Sequence, residues 1–156
     1  MKPDQKKDKL VGEVAAINIG DMKNAIPWSA QEGIFKKSYG LVGDKHSSPG
    51  NRQVTMFAAE GRHRINTIEA DGLCVNRFYE NLTIKDLDAS KLSIGQELII
   101  GAATFQITEI GKRCFPECNI VKKLEICSLK QGVIFAKVTL GGTVRVGDKA
   151  FLRSNK

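Results

Sequence analysis

Short apolar stretches separated by glycine turns dominate the pattern of hydrophobic and polar positions along the chain. The first, Leu10–Ile19, is rich in β-branched residues and ends at Gly20-Asp21, which predicts a buried strand followed by a turn. Between residues 20 and 52, two prolines and irregularly spaced glycines predict loops with short strands and no long helix.

The second half of the chain repeats this pattern. Glu97–Ile100 and Ala103–Ile110, separated by Gly101-Ala102, predict a β-hairpin. The other predicted β segments are bounded by turn residues and cover residues 77–84, 92–95, 133–138, 143–146 and 150–152. Many short strands joined by tight turns predict a mainly β fold and, more specifically, a barrel.

Two segments interrupt the strand pattern. Phe57–Glu69 is the best helix candidate, because its apolar residues are spaced so that they share one face, although Gly61 weakens the prediction. The second segment, Lys112–Lys130, is an insertion with a cysteine-bearing loop. The apolar positions from Ile120 to Leu124 favour a short helix after that loop.

Length and composition predict one domain. A chain of 156 residues with 42% hydrophobic residues can bury a core without metal or disulfide staples. We expect a disordered basic arm over residues 1–9, a domain over residues 10–152 and a tail over residues 153–156. No apolar run approaches the roughly 18 residues that a membrane span needs, and the N-terminus is polar, so we expect a cytoplasmic protein without membrane contact.

The formal net charge of +7 favours an anionic partner, because a positive surface potential concentrates phosphates or nucleic acid near the protein. Much of the excess is dispersed in small groups such as Lys6-Lys7, Lys36-Lys37 and Lys122-Lys123, which are ordinarily solvated. Nucleic acid is the weaker expectation, since only 6% of the residues are aromatic and single-strand binders stack bases on aromatic side chains. Neither a P-loop nor a dinucleotide-binding fingerprint occurs.

The cysteine-bearing segment Gly111–Cys118 holds the most informative chemistry. Lys112 and Arg113 precede Cys114, and cationic neighbours favour the thiolate, which attacks electrophiles, carries a persulfide or binds a soft metal. Cys114 is therefore the candidate catalytic residue. Cys118 and Cys127 are candidate auxiliary thiols.

Other roles of the cysteines stay open as alternatives. A free cysteine is most often a small buried hydrophobe, which is the favoured interpretation for Cys74. Zinc binding by Cys114, Cys118 and Cys127 is disfavoured by their spacing. A Cys-His hydrolase with His46 or His63 as the base has only a weak signal, and His63 is expected to be an exposed residue on the polar side of the helix.

A second constellation is Gly40–His46, followed by Arg52. Glycines permit turns that let polar and cationic side chains such as Lys45 converge on a ligand. Further along, Arg77 and Asn81 are candidate hydrogen-bond donors to a phosphate or a ring carbonyl.

Taken in order, these segments resemble the MOSC domain, the β-barrel family related to the C-terminal domain of molybdenum-cofactor sulfurases. The resemblance spans roughly residues 10 to 152. Its motifs are Gly12–Val14, Gly40–His46, Arg52–Val54, Glu80–Thr83, Leu92–Gly95, Ile110–Cys114, Gly132–Val138 and Gly141–Asp148. An ordered series of eight motifs is much harder to match by chance than any one of them.

The resemblance implies a closed, mostly antiparallel MOSC-type β-barrel with a few short helices. It also implies a molybdenum cofactor (molybdopterin), held through its phosphate by a basic pocket, with Cys114 carrying sulfur or, if the cofactor is retained, ligating molybdenum. The candidate cofactor-binding residues are Lys45, His46, Arg52, Arg77, Asn81, Lys112 and Arg113. Cys118 and Cys127 match cysteines of the small bacterial subgroup that this sequence is most similar to.

The sequence departs from that subgroup at two places. Phe115 stands where a histidine often follows the reactive cysteine, and Ser47-Ser48-Pro49 stands where relatives have a small residue and glycine. The long sulfurases also carry a pyridoxal-phosphate cysteine desulfurase module. We expect no pyridoxal phosphate within 156 residues, so sulfur must arrive from a partner.

Three functions follow as hypotheses. The leading one is a protein that binds the pterin cofactor and carries or transfers sulfur or cofactor through Cys114 during molybdoenzyme maturation, with a cysteine desulfurase or a molybdoenzyme as partner. The second is a molybdenum-dependent reductase of N-hydroxylated compounds that needs an external electron donor. The third is a basic β-barrel that binds nucleic acid. Whether the chain is an enzyme is left open.

Overall fold

A computed structural model describes residues 8–20, 27–45, 47–67, 79–111 and 132–154. The described part contains eleven strands and one α-helix, together with a 3-10 turn at Ala89–Lys91. The strands are β1 (Lys9–Ile19), β2 (Trp28–Ala30), β3 (Glu32–Lys36), β4 (Gly40–Leu41), β5 (Val54–Ala58), β6 (Leu82–Lys85), β7 (Glu97–Ile100), β8 (Ala103–Ile110), β9 (Ile134–Leu140), β10 (Gly142–Arg145) and β11 (Lys149–Leu152), and the helix α1 is Ala59–Thr67.

Seven of the strands close into a barrel in the order β1, β11, β7, β8, β9, β5, β6 and back to β1. Closure depends on β1, whose first half pairs with β11 and whose middle pairs with β6. Every pairing in the barrel is antiparallel except that of β5 with β6. The chain between these two contains α1, as expected because parallel strands need a long crossover connection. The mainly β, closed and mostly antiparallel barrel is therefore confirmed.

A second sheet, in the order β10, β3, β4, packs on the barrel. Phe35 of β3 meets Phe105 of β8 edge to face, with ring centroids 5.1 Å apart and an interplanar angle of 84°. Such pairs are favourable beyond the apolar area that they bury. Leu41 and Val144 belong to the same hydrophobic cluster as the barrel interior, so the two sheets share one core.

The inward-facing residues of the barrel strands form that core. Its fully buried members include Val14, Ile17, Met56, Leu82, Ile84, Leu98, Ile100, Phe105, Ile107 and Ile134. Alternation along β1 and β8 accounts for the prediction of these strands, because successive side chains in a strand point to opposite faces. The hairpin of β7 and β8 has the bounds that the sequence predicts. β1 begins at Lys9, one residue before the predicted strand.

The start of the predicted helix is wrong. Phe57 and Ala58 belong to β5, where they pair with Thr83 and Ile84 of β6, and α1 begins at Ala59. Phe57 is nevertheless buried. A Cβ atom on Gly61 would come within 2.7 Å of its ring, so the glycine allows the helix to approach β5. The same run of apolar residues can form either a strand that is covered on both faces or the apolar side of a helix. Pairing with distant strands decides which of the two forms.

The predicted β region at Leu92–Gly95 is also wrong. Asp88 caps the 3-10 turn by accepting a hydrogen bond from the Ser90 N–H at 3.1 Å, and Gly95 has a φ of +96°, so these residues form turns. The next strand begins at Glu97. The predicted short helix near Ile120 and the N-terminal arm before Asp8 lie outside the described residues. No helix in the described ranges is long and apolar enough to span a bilayer.

The buried side chain of Gln53 predicts a specific contribution to the joining of β5 and β9. Its side chain is buried, donates to the Gly50 carbonyl at 2.8 Å and accepts from the Val138 N–H at 3.0 Å. Gln53→Met preserves the length of the side chain but leaves the buried Val138 N–H without that acceptor. We expect the free energy of unfolding to fall by about 1–3 kcal/mol in urea titrations.

Gln106→Met is the matched control, because the Gln106 amide makes only an exposed hydrogen bond to the Gly95 carbonyl at 3.3 Å. It should change stability by less than about 0.5 kcal/mol. Equal effects of the two substitutions would contradict a role of Gln53 in joining β5 to β9.

Candidate functional site

The loop that follows β4 is docked onto the end of β1 through a buried carboxylate. Asp44 accepts hydrogen bonds at Oδ1 from the Gly20 N–H at 2.9 Å and from the Tyr79 hydroxyl at 2.7 Å. Gly40 and Gly43 adopt positive φ values of +122° and +93°, which L side chains rarely adopt. The loop therefore takes a defined course past β1, and its glycines serve the turn as predicted from their spacing.

Tyr79 is held by the same carboxylate. Burial raises the pKa of its phenol well above the ordinary value, and donation of its hydroxyl to Asp44 raises it further. The phenol therefore stays protonated across the neutral range. A Cβ atom on Gly20 would come within 2.5 Å of the Tyr79 hydroxyl oxygen, so glycine at this position allows the contact.

Lys45 presents the loop's cation to solvent. Its N–H donates to the Gly20 carbonyl at 2.6 Å, and its Nζ lies 5.8 Å from the centroid of the Tyr79 ring. A cation over an aromatic face is attracted by the negative potential of the ring. Within the described ranges Lys45 takes part in no ion pair. Its charge is consequently available to an anion.

Arg52 is differently placed. Its Nε and Nη2 donate to the two carboxylate oxygens of Glu109 at 2.9 and 2.8 Å, and its guanidinium lies 4.4 Å from the centroid of the Phe135 ring. The bidentate pair lowers the pKa of Glu109 and raises that of Arg52, chiefly through these hydrogen bonds. The Arg52 side chain remains 55% exposed. The guanidinium thus combines a fixed orientation with access from solvent.

This ion pair ties the residues before β5 to the end of β8. The register of β8 shifts between Ile107 and Glu109, where the strand bulges, and the hydroxyl of Thr108 donates to the carbonyls of Asn51 and Phe135. Bulges of this kind often redirect side chains beside functional sites. Glu109 stands two residues before Gly111, where the predicted cysteine-bearing segment begins.

Asn81 is buried, with 3% of its surface exposed, and its side-chain amide is engaged inside the fold. Its Oδ1 accepts from the Thr55 N–H at 3.0 Å, and its Nδ2 donates to the Asn18 carbonyl at 3.3 Å. The amide thereby joins β1 and β5 beside the start of β6. The described contacts assign Asn81 to holding strands in place, and its contact with a ligand stays a prediction.

Sequence reasoning missed a buried ion pair next to Asn81. Glu80 is only 1% exposed, accepts from Arg62 Nε at 3.2 Å and accepts from the Thr83 hydroxyl at 2.6 Å. The pair fastens α1 to the start of β6. The prediction that His63 is exposed is confirmed, whereas Arg62, the residue before it, is half-buried by its contact with Glu80. The one sequence signal for this ion pair was the position of the Glu80 carboxylate directly before the buried residues of a strand.

The remaining predicted site residues lie outside the described residues. They are His46, Arg77, Lys112, Arg113, Cys114, Cys118 and Cys127, together with Cys74. The structure does fix where the cysteine-bearing segment leaves and rejoins the barrel, because the Gly111 N–H donates to the Val133 carbonyl at 2.6 Å. Among the residues described, no group of three or more histidine, cysteine or acidic side chains is placed to hold a metal ion.

The high pKa of Tyr79 predicts a specific pH dependence of stability. In the unfolded chain a tyrosine ionises near pH ~10, whereas the folded protein keeps Tyr79 protonated at that pH. The folded state then binds one more proton than the unfolded state, so the stabilisation from this group is complete below pH ~10 and is lost as the pH rises. Removal of the hydroxyl removes this dependence.

We therefore expect the stability advantage of the wild type over Tyr79→Phe to shrink between pH ~9 and ~11. Chemical denaturation at each pH measures it. Tyr39→Phe, which removes the other tyrosine and leaves the Asp44 contact intact, is the control and should follow the wild type. A constant difference between wild type and Tyr79→Phe would show that the hydroxyl ionises alike in both states.

Comparisons with known proteins agree with this architecture. YuaD from Bacillus subtilis superimposes with a TM-score of 0.66 at 16% identity, over 93% of this chain and 97% of that one. YiiM from Escherichia coli gives a TM-score of 0.59 at 18% identity, over 95% of this chain and 71% of that one. These identities establish similarity of fold alone. A search of curated proteins found no match.

The family model for the MOSC domain matches residues 43–150, which is more than half of the chain. The match contains the end of the docked loop, both partners of the Arg52–Glu109 pair and the cysteine-bearing segment. Together with the closed barrel, it establishes that the chain belongs to the MOSC domain family, a family associated with the molybdenum cofactor.

Proposed function

We propose that this chain binds the pterin of a molybdenum cofactor and carries or transfers sulfur or cofactor through the Cys114 thiolate during molybdoenzyme maturation. The observation that carries the proposal is the MOSC match over residues 43–150. It includes the two predicted site cations that the structure describes, Lys45 and Arg52, as well as Cys114. The family association supplies the class of ligand, and the residues of this chain supply the proposed roles.

The described residues fit the phosphate end of such a cofactor. Lys45 is exposed and outside any described ion pair, and Arg52 presents a planar guanidinium of which more than half is exposed. Both are suited to phosphate oxygens, the lysine as a point charge and the arginine through its fork of N–H donors. The metal end would rely on Cys114. When bound, the cofactor would supply a metal centre able to accept a sulfur ligand.

Chain connectivity limits how far apart the two parts of the proposed site can be. Cys114 follows Gly111 by three positions, and an extended chain covers at most ~3.6 Å per residue. Gly111 in turn follows Glu109 by two residues, and Glu109 holds Arg52. A cofactor whose phosphate is bound near Arg52 would thus lie within reach of the Cys114 loop.

The sulfur step needs a partner. The Cys114 thiolate would attack the terminal sulfur of a persulfide on a cysteine desulfurase. A new S–S bond would form on Cys114 as the donor's S–S bond breaks, and the donor cysteine would leave as a thiolate. Sulfur oxidation states and protons balance, so no external oxidant is required. Lys112 and Arg113 would stabilise the thiolate before the attack.

The first test measures pterin and sulfane sulfur on protein purified anaerobically from a molybdenum-replete host, then incubated with a cysteine desulfurase and cysteine. We expect near-stoichiometric pterin in both wild type and Cys114→Ser, and cyanide-releasable sulfur on the wild type only. Cys74→Ser is the control and should match the wild type.

Absence of pterin from the wild type, even after incubation with free cofactor, would contradict cofactor binding. Pterin with tightly held molybdenum that Cys114→Ser loses, but without sulfane sulfur, would instead support the reductase of N-hydroxylated compounds. Salt-sensitive binding of random oligonucleotides that is indifferent to Cys114→Ala would support nucleic-acid binding.

The second test concerns Arg52. If its guanidinium holds the cofactor's phosphate, Glu109 competes with that phosphate for the same donors. Glu109→Gln removes the competing charge and should tighten binding of a phosphate-bearing pterin several-fold, whereas Arg52→Gln should weaken it. Isothermal titration at low ionic strength measures both effects.

Glu97→Gln is the matched control, since Glu97 forms a similar exposed pair with Arg153 at 2.7 Å. It should leave pterin affinity unchanged. Weaker binding in Glu109→Gln would contradict competition and would show that the carboxylate orients Arg52 for its ligand.

A further inference from the structure

Trp28 is the one tryptophan of the sequence, and 44% of its surface is exposed at the start of β2. Its cross-strand partner in β1 is Ile19. Directly opposed residues of an antiparallel pair project from the same face of the sheet. Ile19 packs against the core, and its Cγ2 lies 3.8 Å from the position that a Cβ atom of Gly43 would occupy. The indole therefore stands on the sheet face that continues into the loop of Gly43 and Lys45.

The neighbouring groups have complementary chemistry. Gly20 follows Ile19, and its peptide contacts the loop twice, through its N–H to Asp44 and through its carbonyl to the Lys45 N–H. These two hydrogen bonds hold the backbone of Lys45 against Gly20. Gly20 directly follows Ile19, the residue that pairs with Trp28. The strand pair that carries the exposed indole and the loop that carries the exposed Lys45 ammonium group therefore meet at Gly20.

We infer that Trp28 is the stacking platform for the pterin ring, with Lys45 binding the anionic group of the same ligand. The inference rests on the proposed function and adds a binding residue that lies outside the family match at residues 43–150. A flat heterocycle gains from stacking on an indole, and an anion gains from the lysine. A ligand that combines the two suits this pair better than a neutral or a non-planar one.

Trp28 differs from an ordinary exposed apolar residue. A lone exposed apolar residue is common on protein surfaces and needs no ligand. Here, however, the exposed ring is an indole, and the face of the sheet from which it projects follows from the pairing of β2 with β1 over three residues. Because strand pairing fixes the Trp28 backbone before binding, no backbone entropy is lost when a ring stacks on the indole.

The test uses pterin-6-carboxylate as the probe. Its own fluorescence anisotropy reports binding in every variant, and quenching of the single tryptophan reports contact with Trp28 in the wild type. We expect saturable quenching in the wild type and a Kd about tenfold higher for Trp28→Leu, in line with the usual loss when an aromatic stacking partner is removed. Trp28→Phe should retain affinity within a few-fold, and Lys45→Ala should weaken binding in a salt-dependent way.

Ile94→Ala is the control, because Ile94 is an apolar residue of another loop that is 66% exposed. It should bind as the wild type does. Circular dichroism and unfolding curves are to be recorded for Trp28→Leu, which should fold as the wild type does. Equal affinity of wild type and Trp28→Leu, or no saturable binding in the wild type, would overturn the role of Trp28.

Two further outcomes separate this inference from the proposed function. Binding of guanosine monophosphate as tightly as the pterin would overturn the pterin assignment in favour of a nucleotide base. If the anaerobically purified protein contains pterin while Trp28→Leu retains it in full, the proposed function stands and the stacking role fails. If the purified protein lacks pterin, the proposed function fails on its own measurement.

Discussion

Closure of the barrel through β1 is the constraint on which the other features depend. One edge of this eleven-residue strand pairs with β11 over Lys9–Glu13 and then, beyond the first residue of β11, with β2 over Ile17–Ile19. Its other edge pairs with β6. Because β1 is longer than β11, its last residues extend past the barrel seam. Gly20, at the end of this extension, receives the Asp44 loop.

The same geometry brings polar residues to this end of the barrel. Glu80 and Asn81 are buried and Asn18 is half-buried where β1, β5 and β6 meet, and each has hydrogen-bond partners in the described structure. Buried polar groups are tolerated only when such partners satisfy them. The outcome is a hydrogen-bonded polar layer that adjoins Gly20 and Tyr79, the two residues to which Asp44 of the loop is bonded.

The hydrophobic pattern predicted antiparallel strands whose residues alternate between a buried and a more exposed face. The hairpin of β7 and β8 could be predicted because alternation and Gly101, with a φ of +58°, specify it locally. The start of α1 could not be predicted. Met56 and Phe57 are buried on opposite faces of β5, so the local signal of apolar and polar residues no longer distinguishes a strand from a helix. The parallel pairing of β5 with β6 depends on contacts distant in sequence.

The candidate site shows the same division. Charge and glycine spacing identified Lys45 and Arg52 as cations near a loop, and the structure places both on the surface. They could not reveal Glu109, which is 57 residues away from Arg52, or Arg62 bound to Glu80. Nor could residue type reveal that the Asn81 amide is already engaged within the fold. Pairing partners of charged and amide groups are set by tertiary structure, so composition indicates the kind of ligand but not which donors are free.

The two predicted site cations that the structure describes differ in how their charges are engaged. Lys45 is outside any described ion pair, whereas Arg52 must share or release Glu109 before it can hold a phosphate. Exposed ion pairs contribute only ~0–1 kcal/mol, so this exchange costs little. Stacking on Phe135 can keep the guanidinium in place while its hydrogen bonds change partner. An anion would therefore meet no paired carboxylate in the described ranges at Lys45, whereas at Arg52 it would compete with Glu109.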